Sequence, residues 1–309
     1  MNIAVVCNSD VLAFPSIKFL IDNGHLAGVG ILEKNIKILK QPLISLGVAE
    51  STIGFFEKKN WIAQQKEWLA AIKPDAVWVF GFPWAFPNEI LAMPPKGFCN
   101  FHFGLLPKYK GADPIFWQIK NGEKNGGVVI HKITEQVDEG PVVWKEEVPI
   151  IPGENYGLHT QRMGLVVVNI LNNLLNEEVL KKAQKQEEST ETVSFFKKPD
   201  TNQLTINWDE QSADEIESLV NASNPKYDGA STKLRGMEVR LLEITPADVN
   251  NPPEVKPGTV IHADALYGLI VACRDKKFIR LNILSTREGY MSGVKLFALG
   301  IKAGDLFHH

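Results

Sequence analysis

Short apolar runs that alternate with a helical pattern constrain the fold of the first half of this chain. Ile3 to Cys7 and Ala27 to Ile31 have the length and composition of buried strands, and Phe14 to Asn23 between them has the pattern of a helix. Ala76 to Phe80 repeats the strand pattern. This order predicts an α/β fold with a Rossmann-like, mostly parallel sheet. The turn Asn8 to Asp10 lacks the glycine fingerprint of dinucleotide-binding folds, which excludes a nicotinamide enzyme.

The second half of the chain has a different pattern, with short apolar segments separated by Pro and Gly turns. They predict a small, OB-like antiparallel β-barrel, and they are Val239 to Ile244, Gly258 to His262, Leu269 to Cys273 and Phe278 to Leu284. A charged stretch before them has the composition of a linker. We therefore predict two domains, residues 1–187 and 205–309, joined by residues 188–204.

Composition excludes several classes of protein. The net charge is −3 and the pI is about 6.2, so the chain as a whole has no basic excess for nucleic acid. The three cysteines, Cys7, Cys99 and Cys273, lie far apart, which argues against a disulfide scaffold and against a zinc site. No apolar run approaches a membrane span of about 18 residues. We expect a cytoplasmic protein without a membrane partner.

Two polar residues, Asn100 and His102, come just after the apolar run Gly97 to Cys99. Residues two apart on an extended segment point to the same side, so the amide and the imidazole should face one cavity. Open α/β sheets bind ligands at the carboxyl ends of their strands. Asp138 lies in a loop between two further β-like runs. Taken alone, His102 can be an ordinary strand-end histidine and Asp138 a turn former.

Together the two segments resemble the folate-dependent formyltransferase family. The family signature is Asn-x-His-x-Ser-Leu-Leu-Pro, a basic-Gly-Ala segment and an Asp-x-Gly loop, matched here by Asn100, His102, Leu105-Leu106-Pro107, Lys110-Gly111-Ala112 and Asp138-Glu139-Gly140. Gly104 departs from the pattern, since most members carry Ser there. The second half is also similar to members with an OB-like barrel, through Ile206-Asn207-Trp208, Asn224-Pro225 with Gly229-Ala230, and Pro257-Gly258-Thr259-Val260.

The resemblance implies a formyltransferase fold, N10-formyltetrahydrofolate as co-substrate, and a catalytic set of Asn100, His102 and Asp138. It also implies that folate binds along the loop after Ala76 to Phe80 and near the Asp138 loop. The positions implied are Phe82, Trp84, Ala85, Phe86, Gly104, Gln136 and Val137. Without the family, simple packing would explain the aromatic loop equally well.

Formyl transfer is acyl transfer through a tetrahedral oxyanion, so its site needs an oxyanion donor and groups that move protons. Asn100 can donate without titrating, His102 can donate or carry a proton, and Asp138 can orient the imidazole or accept a proton. Which of the last two is the base stays open. We expect no covalent nucleophile, because Cys99 faces away from Asn100, and no metal, because one His and one Asp make a poor set of ligands. His131 precedes the Asp138 loop and could reach the site, but it is interpreted as a strand residue.

The sequence indicates the identity of the acceptor amine less clearly than that of the formyl donor. Relatives that formylate initiator tRNA carry a long basic insertion after the second strand, where this chain has only Glu33 to Lys40. Phosphate neutralisation dominates tRNA affinity, and Lys34, Lys37 and Lys40 are interpreted as a solvated helix face. The segment Gly111 to Trp117 is closer to the sugar-nucleotide branch of the family. We therefore favour an NDP-linked amino sugar or another small amine as acceptor.

Other interpretations remain open. Initiator methionyl-tRNA is the main alternative acceptor, because the barrel and the chain length match that branch too. A hydrolase that directs water to the same formyl group would use the same three residues. A non-catalytic folate-binding or nucleotide-binding module is disfavoured because all three are present. A homodimer is left open.

Overall fold

The computed structural model describes residues 1–186, 194–251 and 254–309. The strands of the first part of the chain are β1 (Ile3–Cys7), β2 (Leu26–Leu32), β3 (Ile53–Phe56), β4 (Ala76–Phe80), β5 (Phe98–His102), β6 (Tyr109–Gly111), β7 (Asn125–Lys132), β8 (Val142–Pro149) and β9 (Ser194–Phe196). The helices are α1 (Asp10–Asp22), α2 (Ile36–Leu46), α3 (Trp61–Ile72), α4 (Asn88–Leu91), α5 (Pro114–Lys120), α6 (Tyr156–Leu174) and α7 (Glu177–Lys181).

The first sheet has the strand order β3-β2-β1-β4-β5-β7-β8. The five strands from β3 to β5 in this order run parallel to their neighbours, whereas β7 runs antiparallel to β5. This confirms the predicted Rossmann-like, mostly parallel sheet. The direction of chain progression reverses between β1 and β4, and such a switch point opens a crevice at the carboxyl ends of the strands. β6 and β9 form a separate parallel pair.

Burial explains why the central strands read as continuous apolar runs. Every residue of β1 and of β4 is buried. Strands covered on both faces have no solvent side to mark with polar residues, so they lack alternation. The polar residues of β5 therefore stand out, because they follow Phe98 and Cys99, which are buried like the neighbouring strands.

The region after β8 differs from the sequence prediction. The apolar pattern predicts one long helix from Tyr156 to about Lys185, but α6 ends at Leu174 and α7 is a separate short helix. The side chain of Asn176 accepts a hydrogen bond from the Glu178 N–H and caps α7. Asn side chains compete for backbone hydrogen bonds in this way, and apolar periodicity carries no signal for it.

The second sheet contains β10 (Ala230–Leu234), β11 (Met237–Ala247), β12 (Val260–Asp264), β13 (Gly268–Ala272), β14 (Phe278–Thr286), β15 (Gly289–Ser292) and β16 (Phe307–His308), with α8 (Ala213–Ser223) and α9 (Gly293–Ala298). Its order is β12-β13-β14-β11-β10-β16, with β15 beside β14, and the paired strands are antiparallel. This curled sheet confirms the predicted barrel-like domain. Trp208 is buried in its core and donates to the Thr232 hydroxyl at 2.9 Å. Ser212 and Glu215 form the capping box of α8.

The chain divides into two compact units. The first comprises Met1–Pro114, Gly126–Pro149 and Thr160–Phe196, and the second comprises Ile115–Asn125, Ile150–His159 and Lys197–His309. Of the predicted linker 188–204, residues 188–193 lie outside the described residues, and Ser194–Phe196 form β9. Across the described residues, every helix is too short or too polar to cross a membrane.

Candidate active site

The three residues predicted to be catalytic lie together in the first unit. Asn100 and His102 occupy the carboxyl end of β5, and Asp138 lies in the loop between β7 and β8. The backbone of Asp138 is left-handed, with φ at +56°. Asp tolerates this conformation better than most residues do. The turn directs the carboxylate back towards β5, so a loop residue meets two strand residues.

His102 is buried, and its ring is held by a hydrogen bond at Nε2. Its Nε2–H donates to the backbone carbonyl of Tyr109 at 2.5 Å, and its Nδ1 lies 3.5 Å from Asp138 Oδ1. A carbonyl oxygen can only accept, so the Nε2 atom carries a proton and the neutral ring has its lone pair on Nδ1. Burial lowers the pKa of His102, although the Asp138 carboxylate and the Tyr109 carbonyl oppose that effect. The ring is therefore neutral at pH 7, and its free base faces Asp138.

The Asp138 carboxylate is shared among several groups. Its Oδ2 accepts the Gly111 N–H at 2.9 Å, and its Oδ1 lies 3.4 Å from both Asn100 Nδ2 and His131 Nε2. Burial by itself raises the pKa of this carboxyl. The hydrogen bond with His131, the positive charge of His102 when its ring is protonated, and the Gly111 N–H lower the pKa to about 2. Asp138 is therefore ionised at neutral pH.

His131 lies on β7, as the sequence interpretation expected, and its side chain also belongs to this cluster. It lies opposite Asn100 in the β5–β7 pairing, and its Nε2 is 3.2 Å from Asn100 Nδ2. Its Nδ1–H donates to the Lys132 carbonyl at 2.9 Å, which leaves Nε2 facing Asn100 and Asp138. Directly opposed residues of an antiparallel pair share one face of the sheet. A correct alignment of β5 with β7 would have placed His131 opposite Asn100, but the sequence does not determine the register of the two strands.

Gly104 occupies a space that fits no side chain. A Cβ atom at this position would lie 2.6 Å from Pro114 Cβ and 3.0 Å from His102 Nε2. The serine that most family members carry would therefore require a shift of the chain around His102. The close packing of Gly104 explains the departure from the family pattern in this chain.

The predicted folate positions after β4 pack as an aromatic cluster. Phe82 and Phe86 stack with ring centroids 4.7 Å apart, and Trp84 stacks on Trp61 at 5.4 Å. Phe86 is buried, whereas Ala85 is exposed. The aromatic side chains of this loop are thus engaged in packing, and the loop leads directly into α4.

A cavity of about 610 Å³ lies beside this cluster and is lined by Asn88, Leu91, Ala92, Ile133, Thr134, Glu135 and Gln136. Leu91 and Ile133 also pack against the aromatic core. Among the predicted folate positions, Gln136 lines the cavity, and Val137 follows it with half of its surface exposed. The cavity therefore runs from α4 to the loop that carries Asp138.

The described residues offer no cluster of three His, Cys, Asp or Glu side chains that could hold a metal ion. Cys99 is buried next to Asn100, and burial raises the pKa of its thiol, with Lys132 opposing. A thiol with a raised pKa is a poor nucleophile. The polar groups that meet at the site are an amide, two imidazoles and a carboxylate.

Comparison with known proteins identifies the family. A formyl transferase model matches residues 40–175, and a model of the formyl transferase C-terminal domain matches residues 198–302. The methionyl-tRNA formyltransferase of Alkaliphilus oremlandii is 30% identical over 92% of this chain and 90% of its own length. The bifunctional polymyxin resistance protein ArnA of Wigglesworthia glossinidia brevipalpis is 26% identical over 79% of this chain, which spans only 37% of ArnA.

Solved structures share the fold. HypX from Aquifex aeolicus superposes with a TM-score of 0.69 and 20% identity over 98% of this chain, which spans half of HypX. An N-formyltransferase from Helicobacter canadensis, solved with folinic acid and dTDP-3-aminofucose, gives a TM-score of 0.62 and 16% identity, covering 91% of this chain and 98% of its own. With its two domain matches and a 30% identical relative along nearly its full length, the chain belongs to the formyltransferase family, whose members are enzymes that transfer formyl groups.

Proposed function

We propose that this formyltransferase moves the formyl group of N10-formyltetrahydrofolate to a primary amine, with Asn100, His102 and Asp138 as catalytic residues. The observation that carries the proposal is the buried contact between a neutral imidazole and an ionised carboxylate, 3.5 Å apart. Neither His102 Nδ1 nor Asp138 Oδ1 carries a proton, so the pair can accept one. When the amine attacks the formyl group, its nitrogen must lose a proton, and this pair can take it up.

The proton path follows from the ring orientation. The neutral amine attacks the formyl carbon, forming a C–N bond and a tetrahedral oxyanion, and the attacking nitrogen becomes positively charged. His102 Nδ1 takes a proton from that nitrogen, and the Asp138 carboxylate stabilises the imidazolium. When the bond from carbon to folate N10 breaks, the same proton passes to N10. His102 is then neutral again, and tetrahydrofolate leaves.

Asn100 supplies the donor for the oxyanion. Its Nδ2 approaches His131 at 3.2 Å and Asp138 at 3.4 Å. A contact of 3.4 Å is long for a hydrogen bond and therefore weak. The hydrogen directed to Asp138 can turn to a developing oxyanion at low cost. Such preorganised donors are among the largest contributions to catalysis of acyl transfer.

The cavity beside the aromatic cluster is the proposed folate site. Its volume of about 610 Å³ lies within the usual range for small-molecule sites, on the order of 300–1,000 Å³. It has apolar walls at Leu91 and Ile133 and polar groups at Asn88 and Glu135, which suits a flat ring system with a polar edge. Structures with the same fold have been solved with tetrahydrofolic acid in HypX and with folinic acid in the Helicobacter canadensis enzyme.

For the acceptor we favour an NDP-linked amino sugar or another small amine. At the position where the tRNA enzymes carry their basic insertion, Lys34 and Lys37 are exposed, and Lys40 pairs with Glu50 at 2.7 Å. Two exposed cations give a weak electrostatic footprint for tRNA. Initiator methionyl-tRNA is the second candidate, because the relative at 30% identity over most of the chain is a methionyl-tRNA formyltransferase.

A formyl-transfer assay with N10-formyltetrahydrofolate distinguishes these acceptors. The panel contains NDP-3-amino and NDP-4-amino sugars and charged initiator tRNA, each at matched concentrations. We expect turnover on an amino sugar and none on tRNA. Turnover on tRNA alone would replace the sugar proposal, and release of formate without any acceptor would indicate a hydrolase.

A further inference from the structure

We infer that Gln186 is a positioning residue for Asp138, an inference that rests on the proposed formyl transfer. Its amide Nε2 donates to the backbone carbonyl of Asp138 at 2.8 Å and to that of Gly140 at 3.0 Å. A side-chain amide has two hydrogens, and both are used here. One glutamine therefore ties together the two ends of the turn that carries the carboxylate.

The turn benefits from such a restraint because the residues at its tip are exposed to solvent. Asp138 has the left-handed backbone described above, and residues 134–137 are exposed. The Glu139 side chain pairs with Lys110 at 3.1 Å, but it is 48% exposed, so solvent screens the contact. The hydrogen bonds from Gln186 act on the backbone itself, where the direction of the carboxylate is decided.

The segment that carries Gln186 is itself held in register. The Gln184 N–H donates to the Val142 carbonyl at 2.8 Å, and the Val142 N–H donates back to the Gln184 carbonyl at 2.7 Å. This bridge places residues 184–186 alongside the start of β8, directly after the Asp138 turn. Gln186 is half-buried, whereas Gln184 is exposed.

The carboxylate of Asp138 is restrained from the opposite side by β6. Gly111 of β6 donates its N–H to Oδ2, and the next residue, Ala112, donates to the Phe196 carbonyl of β9 at 2.8 Å. Gly111 has φ at +95°, and a Cβ atom there would lie 2.2 Å from Phe196 O, so only glycine fits. β6 thus fixes the carboxylate while Gln186 fixes the backbone.

Gln186 touches none of the atoms that form or break bonds in the proposed reaction. It acts through the distances from Asp138 Oδ1 to His102, His131 and Asn100, which are all 3.4 to 3.5 Å. Without the amide, the turn can relax and carry the carboxylate away from the imidazole. The proton taken up by His102 would then lack its counter-charge.

Three variants test the inference. Gln186→Ala removes the donor, and Gln186→Glu keeps the shape but presents a carboxylate to two carbonyl oxygens. Gln184→Ala is the matched control, because Gln184 contributes only backbone hydrogen bonds to the bridge. We expect kcat to fall on the order of 10- to 100-fold in both Gln186 variants, with an unchanged KM for folate and wild-type kinetics in Gln184→Ala. Wild-type kcat in Gln186→Glu would overturn the inference.

A second measurement needs no acceptor and separates this inference from the proposed function. The His102 ring, which faces Asp138, His131 and the Tyr109 carbonyl, is titrated by NMR in each variant. Asp138 raises the pKa of His102, so its displacement should lower that pKa further in Gln186→Ala and leave it unchanged in Gln184→Ala. An unchanged titration in Gln186→Ala would contradict positioning. A shift together with no turnover of the wild type on any acceptor would retain the role of Gln186 and reject the proposed reaction.

Discussion

Two buried pairs of a carboxylate and an imidazole, one in each unit, differ in the distance between the facing atoms and in the proton between them. In the second unit, His159 Nδ1 donates to Glu154 Oε2 at 3.0 Å, and the same oxygen accepts the Ile151 N–H at 3.1 Å. In the first unit, His102 Nδ1 and Asp138 Oδ1 lie 3.5 Å apart. A short bond that fully uses its proton stabilises the fold. A longer contact without a proton between its atoms leaves both atoms able to accept one.

The largest expected effect is on the stability of the second pair. His159 is 1% exposed, so His159→Ala leaves a cavity and removes a donor from the buried Glu154. We expect the free energy of unfolding to fall by about 3 kcal/mol. Denaturant titration measures it, with His262→Ala as control, because the His262–Asp264 pair at 2.9 Å is 44% and 36% exposed. Equal losses in both variants would show that burial does not distinguish these pairs.

The same substitution of histidine by alanine tests the first pair. His102→Ala should lower kcat on the order of 100-fold or more, because the proton from the amine loses its acceptor. Folate affinity should stay near that of the wild type, since His102 lies outside the lining of the proposed folate cavity. Steady-state kinetics and folate binding measure the two quantities. A kcat near that of the wild type would mean that His102 and Asp138 do not form a catalytic pair.

The low pKa of Asp138 predicts a dependence of stability on pH. A carboxyl whose pKa is lowered on folding, here from 3.8 to about 2, contributes stability above its unfolded pKa and loses it as the pH falls through the folded pKa. We expect the wild type to lose about 2 kcal/mol relative to Asp138→Asn between pH 4 and pH 2. Urea titrations of both proteins across this window provide the measurement. Parallel curves would mean that the partners of Asp138 do not favour its charged form.

Gly104→Ser perturbs the first pair without touching Asp138. The new Cβ would lie 3.0 Å from His102 Nε2 and 2.6 Å from Pro114 Cβ, so overpacking should cost about 1.5 kcal/mol of stability and reduce kcat. Gly104→Ala is the matched control for the hydroxyl group and should give the same loss. If Ser is tolerated and Ala is not, the hydroxyl finds a partner that the packing does not predict.

The smallest effect is expected at His131. His131→Phe keeps the ring but removes the contacts with Asn100 and Asp138, and we expect about a tenfold lower kcat with unchanged stability. His131→Gln, which keeps a polar side chain beside Asn100 and Asp138, should recover part of the activity. Kinetics of the two variants at pH 7 check this. An identical kcat in both would show that the hydrogen bonds of His131 do not position Asn100 or Asp138.

Several features were predictable because they are local. The apolar runs that become β1 and β4 lie at the predicted residues, and the capping box of α8 follows from the local spacing of Ser212 and Glu215. Asn100 and His102 share a side of one strand because alternate residues do so in any strand. The break between α6 and α7 was not predictable, since a polar cap competes with an otherwise helical pattern.

The sequence by itself determined the order of the elements, the change from α/β to β architecture, and which residues carry titratable chemistry. Only the tertiary structure decided which of them meet. The β5–β7 register brings His131 to Asn100, and the Gln184–Val142 bridge brings Gln186 to the Asp138 turn. The physical reason is that apolar periodicity and motif spacing act over a few residues. Pairing register and a left-handed turn at Asp138 are fixed by contacts between segments distant in the chain.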